Sequence, residues 1–309
     1  MKRTVDIILD NMEKIIVGKR GVLEKIMAAL LNDGHVLIED VPGVGKTQMV
    51  AALANSVRGV FHRIQFTPDV MPSDIMGFSM FNPGTRQFEY KEGVAVCNFL
   101  LADEINRASS KTQSSLLEIM EEFQVTIDGK TYLLPRPFMV LATQNPIESY
   151  GTYLLPEAQM DRFFIRLSIG YPNKEEEKFI LDRFEKNNPL SDLQPVVELK
   201  EIIELQNQVK NIKVEDCLKA YIVSIAEATR DYNDIVLGVS PRGSLSLLKS
   251  AKAWAFIKGR EFVIPDDIQE MVKPVLAHRL ILGSGAKIKN ITAENIIEDI
   301  VNSIKVPSF

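Results

Sequence analysis

Cysteine is nearly absent from this 309-residue chain, which contains only Cys97 and Cys217. Two cysteines are too few for a disulfide framework or a cysteine-based zinc site, and we expect both to be small core residues. Long apolar runs are also missing, since none approaches the roughly 18 residues that cross a bilayer. Asp6 and Asp10 interrupt the apolar stretch that a signal peptide would need. We therefore expect a cytoplasmic protein without a membrane span.

The chain also lacks an excess of positive charge. The chain has 36 lysines and arginines against 41 aspartates and glutamates, which gives a formal net charge of −5. The densest basic stretches, 14–25 and 249–260, are diluted by apolar residues and indicate solvated helix faces. Proteins that bind nucleic acids neutralise phosphates with basic patches, so we do not expect a nucleic-acid partner.

The composition that remains is typical of a folded protein, with 46% hydrophobic and 25% charged residues. In the first half, short apolar runs alternate with helical patterns, as in a parallel sheet covered by helices. After Tyr171 and Pro172, long amphipathic patterns replace them. We therefore predict an α/β first domain at 1–171 and an all-α second domain at 172–309.

Individual elements can be predicted from apolar periodicity and turn residues. The predicted strands are 35–39, 61–65, 98–102, 138–143 and 163–169. The predicted helices are 47–57, 110–122, 174–186, 199–210, 216–230 and 244–258. Two β-hairpins are predicted as insertions, one at 77–93 and one at 125–132, where Asp128-Gly129 forms a two-residue turn.

A phosphate-binding loop is predicted at 39–47, where the first strand meets a helix. In the pattern GxxxxGK[ST], backbone N–H groups and the helix N-terminus surround the β-phosphate. The lysine reaches the β/γ oxygens and the hydroxyl binds Mg²⁺. We therefore predict ATP and Mg²⁺ as ligands, with Thr47 as a metal ligand. The predicted nucleotide-binding residues are Gly43, Val44, Gly45, Lys46, Thr47 and Gln48.

Asp40 stands where this pattern has its first glycine. Gly43 and Gly45 still permit close approach of the backbone, so we expect the carboxylate to point away from the phosphates. On this basis Asp40→Gly should be mild or should tighten ATP binding.

Two further strands end in polar residues. The strand at 98–102 leads to Asp103, a candidate Mg²⁺ partner, and Glu104, a candidate general base that polarises water. On their own, adjacent carboxylates also indicate a helix start. The strand at 138–143 leads to Asn145, whose carboxamide can orient the attacking water, although Asn-Pro is also typical of turns.

The order of these elements resembles the AAA+ ATPases, and the connecting stretches are similar to the MoxR branch of the helix-2-insert clade. The similar stretches are LLADEINRASSKTQSSLLEIMEE at 100–122, ATQNPIESYGTYLLPEAQMDRF at 142–163 and SPRGSLSLLKSAKAWAFIKGREFVIPDDI at 240–268. The resemblance covers nearly the whole chain.

The resemblance implies roles for further residues. Arg162 corresponds to an arginine finger that reaches the γ-phosphate of a neighbouring subunit, and Arg242 to the sensor 2 arginine of the lid. An ion pair with Asp161 or Glu157 is the alternative for Arg162, and a surface position at a helix start is the alternative for Arg242.

Other implied positions are Val17 and Gly18, whose backbone would lie near adenine, and Gln65, which would restrain the catalytic glutamate. Val17 and Gly18 could equally form a plain turn. The hairpins would face a central pore or a partner, with an apolar surface formed by Phe78, Met80, Phe81 and Phe88. Packing of these four side chains on the protein's own core is the alternative.

The sequence therefore predicts an ATP-hydrolysing chaperone of the MoxR type. The resemblance implies a ring of identical subunits, expected to be a hexamer. It also implies protein clients, often with von Willebrand factor A domains, that are remodelled, matured or loaded with metal. The alternatives are a nucleic-acid-linked motor of the same clade and, because of Asp40, a nucleotide-gated scaffold with little hydrolysis.

Overall fold

The computed structural model describes residues 3–41, 43–145, 153, 155–185 and 189–307. Its helices, in chain order, are α1 Thr4–Glu13, α2 Arg20–Leu30, α3 Lys46–Ser56, α4 Pro72–Met76, α5 Ser110–Glu122, α6 Glu157–Met160, α7 Lys174–Phe184, α8 Leu199–Lys210, α9 Asp216–Arg230, α10 Pro241–Ile257, α11 Pro265–Leu276, α12 Ser284–Ile288 and α13 Ala293–Ser303. Its strands are β1 Val36–Glu39, β2 Phe61–Gln65, β3 Gly77–Asn82, β4 Gln87–Glu92, β5 Phe99–Asp103, β6 Gln124–Ile127, β7 Lys130–Leu133, β8 Met139–Gln144, β9 Ile165–Leu167, β10 Ile235–Leu237 and β11 Ile281–Leu282.

The chain forms two compact units whose segments alternate along the sequence. The first contains Met1–Leu23, His35–Leu155 and Ser168–Ile203, and the second contains Glu24–Gly34, Pro156–Leu167 and Glu204–Phe309. The sequence predicted a single boundary between residues 171 and 172. In the structure, α7 follows this position but belongs to the first compact unit. Where a nucleotide-binding core ends and a lid begins remains a prediction.

A parallel sheet forms the centre of the first unit, with its strands in the order β2, β5, β8, β1. Strand β2 has the predicted bounds, whereas β1, β5 and β8 begin one residue later than predicted. The register places Gln65 beside Asp103 and Glu39 beside Gln144, so the carboxyl ends of the strands lie side by side. Ligands of open parallel sheets bind at this edge.

Helices α3 and α5 of this unit differ in what they bury. Helix α3 is buried along nearly its whole surface, including Met49, Val50 and Leu53, so it lies inside the unit. Helix α5 is amphipathic and buries residues that include Leu116 and Met120. Its N-terminus is capped by Ser109, whose side chain accepts a hydrogen bond from Thr112 N.

The two predicted hairpins are formed by β3 with β4 and by β6 with β7. Tyr90 of the first hairpin stacks on Tyr132 of the second with ring centroids 4.2 Å apart, so the hairpins support each other. The four apolar side chains expected at the first hairpin are exposed rather than packed in a core, and Phe88 is the most exposed of them at 72%. Phe81 and Phe88 contact each other edge to face.

The second unit is mainly helical. Helix α10 packs against α9 and α11, and α13 packs against α11, around buried side chains such as Leu247, Met271 and Ile297. Helix α10 begins at Pro241, three residues before the predicted start at 244, because Ser240 caps it by accepting from Gly243 N. Beside the helices, β10 and β11 form a small antiparallel sheet that the sequence did not predict.

The two cysteines have different environments. Cys97 is buried, as expected, and burial raises the pKa of its thiol to about 12. The expectation that Cys217 is a core residue was wrong, because it is exposed near the start of α9.

Within the described ranges, none of the helices combines the length and the apolar character required to pass through a bilayer.

His35 is a buried histidine that the sequence did not connect with any function. Its Nε2–H donates to Met120 O at 2.9 Å, and its Nδ1 accepts from Val140 N at 2.9 Å. The neutral ring therefore satisfies both partners, whereas a proton on Nδ1 would break the bond to Val140. Burial lowers the pKa of His35 to about 4, the Met120 bond opposes this, and Arg136 adds to it.

We expect His35 to make stability depend on pH between about 6.5 and 4. In this window the unfolded chain binds the proton and the folded chain does not, so stability is full above pH 6.5 and falls as the pH decreases. The full difference corresponds to roughly 3 kcal/mol. Urea unfolding of the wild type and of His35→Gln from pH 7.5 to 4 should show a shallower slope for the variant.

His278 is present in both proteins and cancels in the comparison. Equal slopes, or a nuclear magnetic resonance titration that places the pKa of His35 near 6.5, would contradict this assignment.

Candidate active site

A cavity of about 260 Å³ opens at the carboxyl edge of the sheet in the first unit. Six residues predicted from the sequence line it together: Gly43, Lys46, Thr47, Asp103, Glu104 and Asn145. Three more residues complete the lining, namely Asp40, Arg63 and Gln65. The predicted phosphate loop, carboxylate pair and carboxamide therefore share one site.

The loop before α3 provides an open cradle of backbone. Gly43 has φ of 88° and Gly45, the N-cap of α3, has φ of 86°, a left-handed conformation that glycine adopts readily. Apart from the chain neighbours of each glycine, no described residue has an atom within 4 Å of the position that a Cβ would take. Backbone N–H groups and the helix N-terminus can therefore approach an anion closely.

Lys46 is the first residue of α3, and its Nζ donates to the backbone oxygen of Asp40 at 2.8 Å. Burial lowers the pKa of Lys46, while the carboxylates of Asp40, Asp103 and Glu104 act in the opposite direction. This lysine is therefore held at the cavity by an acceptor that a phosphate oxygen can replace.

The carboxylate of Asp40 has a structural role that the sequence did not predict. Its Oδ2 accepts hydrogen bonds from Ser168 Oγ at 3.1 Å, from Gly170 N at 2.9 Å and from Ile169 N. Asp40 thus connects the phosphate loop to the segment 168–170. The expectation that Asp40→Gly is mild assumed no such partners and needs revision.

Thr143 positions both members of the carboxylate pair. Its Oγ1 donates to Asp103 Oδ1 at 2.6 Å and accepts from Glu104 N at 2.8 Å. Strand β5 ends at Asp103, and Glu104 has φ of 56° in the left-handed region, which costs a non-glycine residue roughly 1–2 kcal/mol. The backbone therefore leaves the extended conformation between the two carboxylates.

Glu104 is held by two donors in this structure. Gln65 Nε2 donates to Glu104 Oε2 at 2.8 Å, and Arg107 Nε forms an ion pair with the same oxygen at 2.8 Å. Gln65 thus contacts the candidate base, as the resemblance implies.

The remaining residues that were predicted for the site in the first unit differ in placement. Asn145 is buried directly after β8, and Gln48 Oε1 is buried without a hydrogen-bond partner among the described residues. Val44 lies in the loop between Gly43 and Lys46. Val17 and Gly18 precede α2, and Gly18, with φ of 70°, packs so closely on Glu176 that any side chain at this position would collide with that carboxylate.

Arg162 and Arg242 belong to the second unit, around Asp161. Arg279 Nε donates to Asp161 Oδ1 at 2.6 Å, and Arg242 Nε lies 3.9 Å from Asp161 Oδ2. Arg279, whose side chain is only 3% exposed, also donates to the backbone oxygens of Asp161, Phe163 and Phe164. The backbone on both sides of Arg162 is therefore fixed by Arg279.

Sequence reasoning missed Thr143, Arg63, Arg107 and Arg279 as contributors to these arrangements. Thr143 could have been found, because it is the first polar residue after the apolar run of the strand beside the one that ends in Asp103. Arg63 and Arg279 gave no such signal, since Asp103 and Asp161 lie on another strand and in a distant segment, whereas Arg107 is only three residues from its partner Glu104.

Comparison with known proteins shows the family of this chain. A family model described as "ATPase family associated with various cellular activities (AAA)" matches residues 35–165, and one described as "AAA lid domain" matches residues 227–300. The chain thus has the architecture of an AAA+ ATPase, an α/β core with a helical lid. The crystal structure of a protein from Cytophaga hutchinsonii superposes with a TM-score of 0.92 and 39% identity, over 98% of this chain and 95% of that one.

Among curated proteins, the chaperone MoxR1 of Mycobacterium tuberculosis is 42% identical over 98% of this chain and 82% of its own. YeaC of Bacillus subtilis, an uncharacterised protein, is 51% identical over 97% of this chain and 93% of its own. Protein MoxR of Paracoccus denitrificans is 29% identical over 87% of this chain and 86% of its own. This chain belongs to the MoxR family of AAA+ ATPases.

We expect Asp40→Gly to lower the free energy of unfolding by about 1–3 kcal/mol, because two backbone N–H groups and a hydroxyl lose their shared acceptor. Asp40→Asn, whose amide oxygen can still accept, should lose less. Urea unfolding measures the stability, and titration with a fluorescent ATP analogue should show weaker binding for the glycine variant.

Ser168→Ala is the matched control, since it removes one donor and leaves the carboxylate. If Asp40→Gly is as stable as the wild type and binds ATP as tightly or more tightly, the contacts to 168–170 do not support the phosphate loop.

Proposed function

We propose that this protein is a Mg²⁺-dependent ATPase that acts as a ring-forming chaperone on other proteins. The observation that carries the proposal is the shared cavity, where Lys46 and Thr47 of a phosphate loop lie with the carboxylates of Asp103 and Glu104 and the carboxamide of Asn145. Each group matches one requirement of phosphoryl transfer to water, namely binding the phosphates, holding the metal and activating or positioning the nucleophile.

The donors present at the cavity fit Mg²⁺. Thr47 and Asp103 offer hard oxygen ligands beside the phosphate cradle. Clusters of three or more His, Cys, Asp or Glu side chains able to hold a metal do not occur among the residues described. Mg²⁺ suits this arrangement, because it takes one or two protein oxygens together with waters and substrate phosphates. When bound, it would neutralise charge on the β- and γ-phosphates.

The chain's own residues then have distinct tasks. Lys46 exchanges the Asp40 carbonyl for phosphate oxygens and places its positive charge where negative charge develops. Glu104 accepts a proton from the attacking water after releasing Gln65 or Arg107, and Asn145 orients that water. Thr143 keeps Asp103 and Glu104 in their relative positions throughout.

Assembly into a ring is proposed because Arg162 matches the family's arginine finger. We propose that Arg162 completes the active site of a neighbouring subunit, that Arg242 contacts the nucleotide of its own subunit, and that Val17 and Gly18 lie near adenine. The binding of Arg279 to the backbone around Arg162 supports a positioned rather than a mobile finger. A hexamer is the expected ring.

Protein remodelling is proposed because a relative with 42% identity is named a chaperone. The exposed apolar side chains of the first hairpin, supported by stacking of Tyr90 on Tyr132, provide a surface on which a client could bind. Clients with von Willebrand factor A domains, and metal insertion into a client, are the finer forms of this proposal. They rest on the family resemblance.

Glu104→Gln should bind ATP and Mg²⁺ but lose hydrolysis by about 10²–10⁴-fold, because the amide cannot take the proton of the attacking water. Phosphate release measures turnover, and titration with a fluorescent nucleotide measures binding. Lys46→Ala is the contrasting variant and should fail at binding. Turnover close to the wild type in Glu104→Gln would show that the base lies elsewhere.

Arg162→Ala should bind ATP nearly normally and hydrolyse it about 10³–10⁵-fold more slowly, as expected for the loss of an arginine finger. Mixing Arg162→Ala with Glu104→Gln subunits should raise activity above either variant alone. In a mixed ring, an intact Glu104 can meet an intact Arg162 of the next subunit. The gain should depend on protein concentration, as assembly does.

The mixture distinguishes action between subunits from action within one chain. If mixed rings form, as shown by co-purification of differently tagged subunits, and activity stays at the level of the separate variants, Arg162 acts within its own subunit.

A further inference from the structure

Arg63 is a cavity residue without a role in the function proposed above. It lies on β2 two positions before Gln65, so both side chains point to the same face of the sheet, and both line the cavity. The register places Arg63 beside Leu101 and Gln65 beside Asp103 of the neighbouring strand.

A single nitrogen of Arg63 contacts both halves of the catalytic arrangement. Its Nη2 donates to Asp103 Oδ2 at 2.7 Å and to Gln65 Oε1 at 2.9 Å. The other end of the Gln65 carboxamide donates to Glu104 Oε2 at 2.8 Å. Arg63 therefore links the candidate metal carboxylate to the residue that holds the candidate base.

The oxygens of Asp103 are both engaged in this arrangement. Oδ1 accepts from Thr143 at 2.6 Å, and Oδ2 is paired with Arg63. The guanidinium of Arg63 and a divalent cation are both positively charged, and both would need the Asp103 carboxylate. Each therefore disfavours binding of the other at Asp103. The Arg63 side chain is 45% exposed, which allows it to move into solvent without disturbing the core.

We propose that Arg63 is a positioning residue that occupies Asp103 in the resting state and is displaced when Mg²⁺ binds with the nucleotide. Its departure removes the partner of Gln65 Oε1 and so weakens the hold of Gln65 on Glu104. Arrival of the metal and release of the base are thereby coupled through one side chain. The inference rests on the proposed function, because it assumes a Mg²⁺–nucleotide complex at this cavity.

The test is the Mg²⁺ dependence of nucleotide binding by the full chain, measured with a fluorescent ADP derivative from excess EDTA to millimolar Mg²⁺. Arg63→Gln should bind the metal-free nucleotide no more tightly than the wild type, because the variant loses a positive charge at the cavity. The Mg²⁺ concentration that gives half of the tightening should fall about fivefold, the size expected for removing one competing, partly exposed charge. Arg63→Met, which also lacks the charge, should behave in the same way.

Arg58→Gln is the matched control. Arg58 is an exposed arginine paired with Glu198 at 3.2 Å and is not among the cavity residues, so its loss changes the net charge equally. This variant should keep the Mg²⁺ dependence of the wild type.

Provided that the wild type binds the Mg²⁺–nucleotide complex, two results would overturn this inference and leave the proposed function standing. If the Mg²⁺ concentration for half of the tightening is higher in Arg63→Gln than in the wild type, Arg63 assists the metal rather than competing with it. If the Mg²⁺ dependence of Arg63→Gln equals that of Arg58→Gln, Arg63 does not compete with the metal. Failure of the wild type to bind the nucleotide with or without Mg²⁺ would overturn the proposed function and this inference together.

Discussion

Thr143 donates a hydrogen bond to Asp103 across two neighbouring parallel strands, and the geometry of the candidate active site depends on this contact. The same hydroxyl accepts the backbone N–H of Glu104, so a single buried side chain holds the Asp103 carboxylate and the backbone of Glu104. The contact also supports the left-handed backbone of Glu104, a conformation that a glutamate adopts only when its surroundings stabilise it. The protein's own contacts therefore define the arrangement of the carboxylate pair.

Positive charge in the first unit gathers around this pair. Arg63 pairs with Asp103, Arg107 pairs with Glu104, and Lys46 donates to the nearby carbonyl of Asp40. Each of these contacts satisfies a group that hydrolysis would need in another arrangement. Under the proposed function, binding of the nucleotide and Mg²⁺ must replace these partners. Such replacement is how a ligand shifts a protein between two states, since only differential contacts can do so.

The second unit shows a comparable organisation around Asp161. Arg279 is almost completely buried, and it satisfies the Asp161 carboxylate and three backbone oxygens of the segment 161–164. Burial lowers the pKa of Arg279, and the contact with Asp161 opposes this. A buried charge with so many partners is costly to disturb, because removing one side would leave the other uncompensated. An ion pair with Asp161 was the alternative role of Arg162 predicted from the sequence. In such a pair, Asp161 would have to share its carboxylate with Arg279.

The sequence by itself determined the class of fold and the residues that carry the predicted chemistry. Apolar periodicity gave β2, α5, α8 and α9 with the bounds that the structure shows, because such patterns express burial that any packing must satisfy. The loop motif, Asp103, Glu104 and Asn145 could be placed at one edge of the sheet, because parallel strands bring their carboxyl ends together. Only the tertiary structure decided the partners of Asp40, Arg63 and Thr143 and the exposure of Cys217. The hydrogen-bond partners depend on strand register, on the left-handed backbone of Glu104 and on contacts between residues as far apart as Asp40 and Gly170. The exposure of Cys217 depends on how its helix packs. None of these features leaves a local pattern in the sequence.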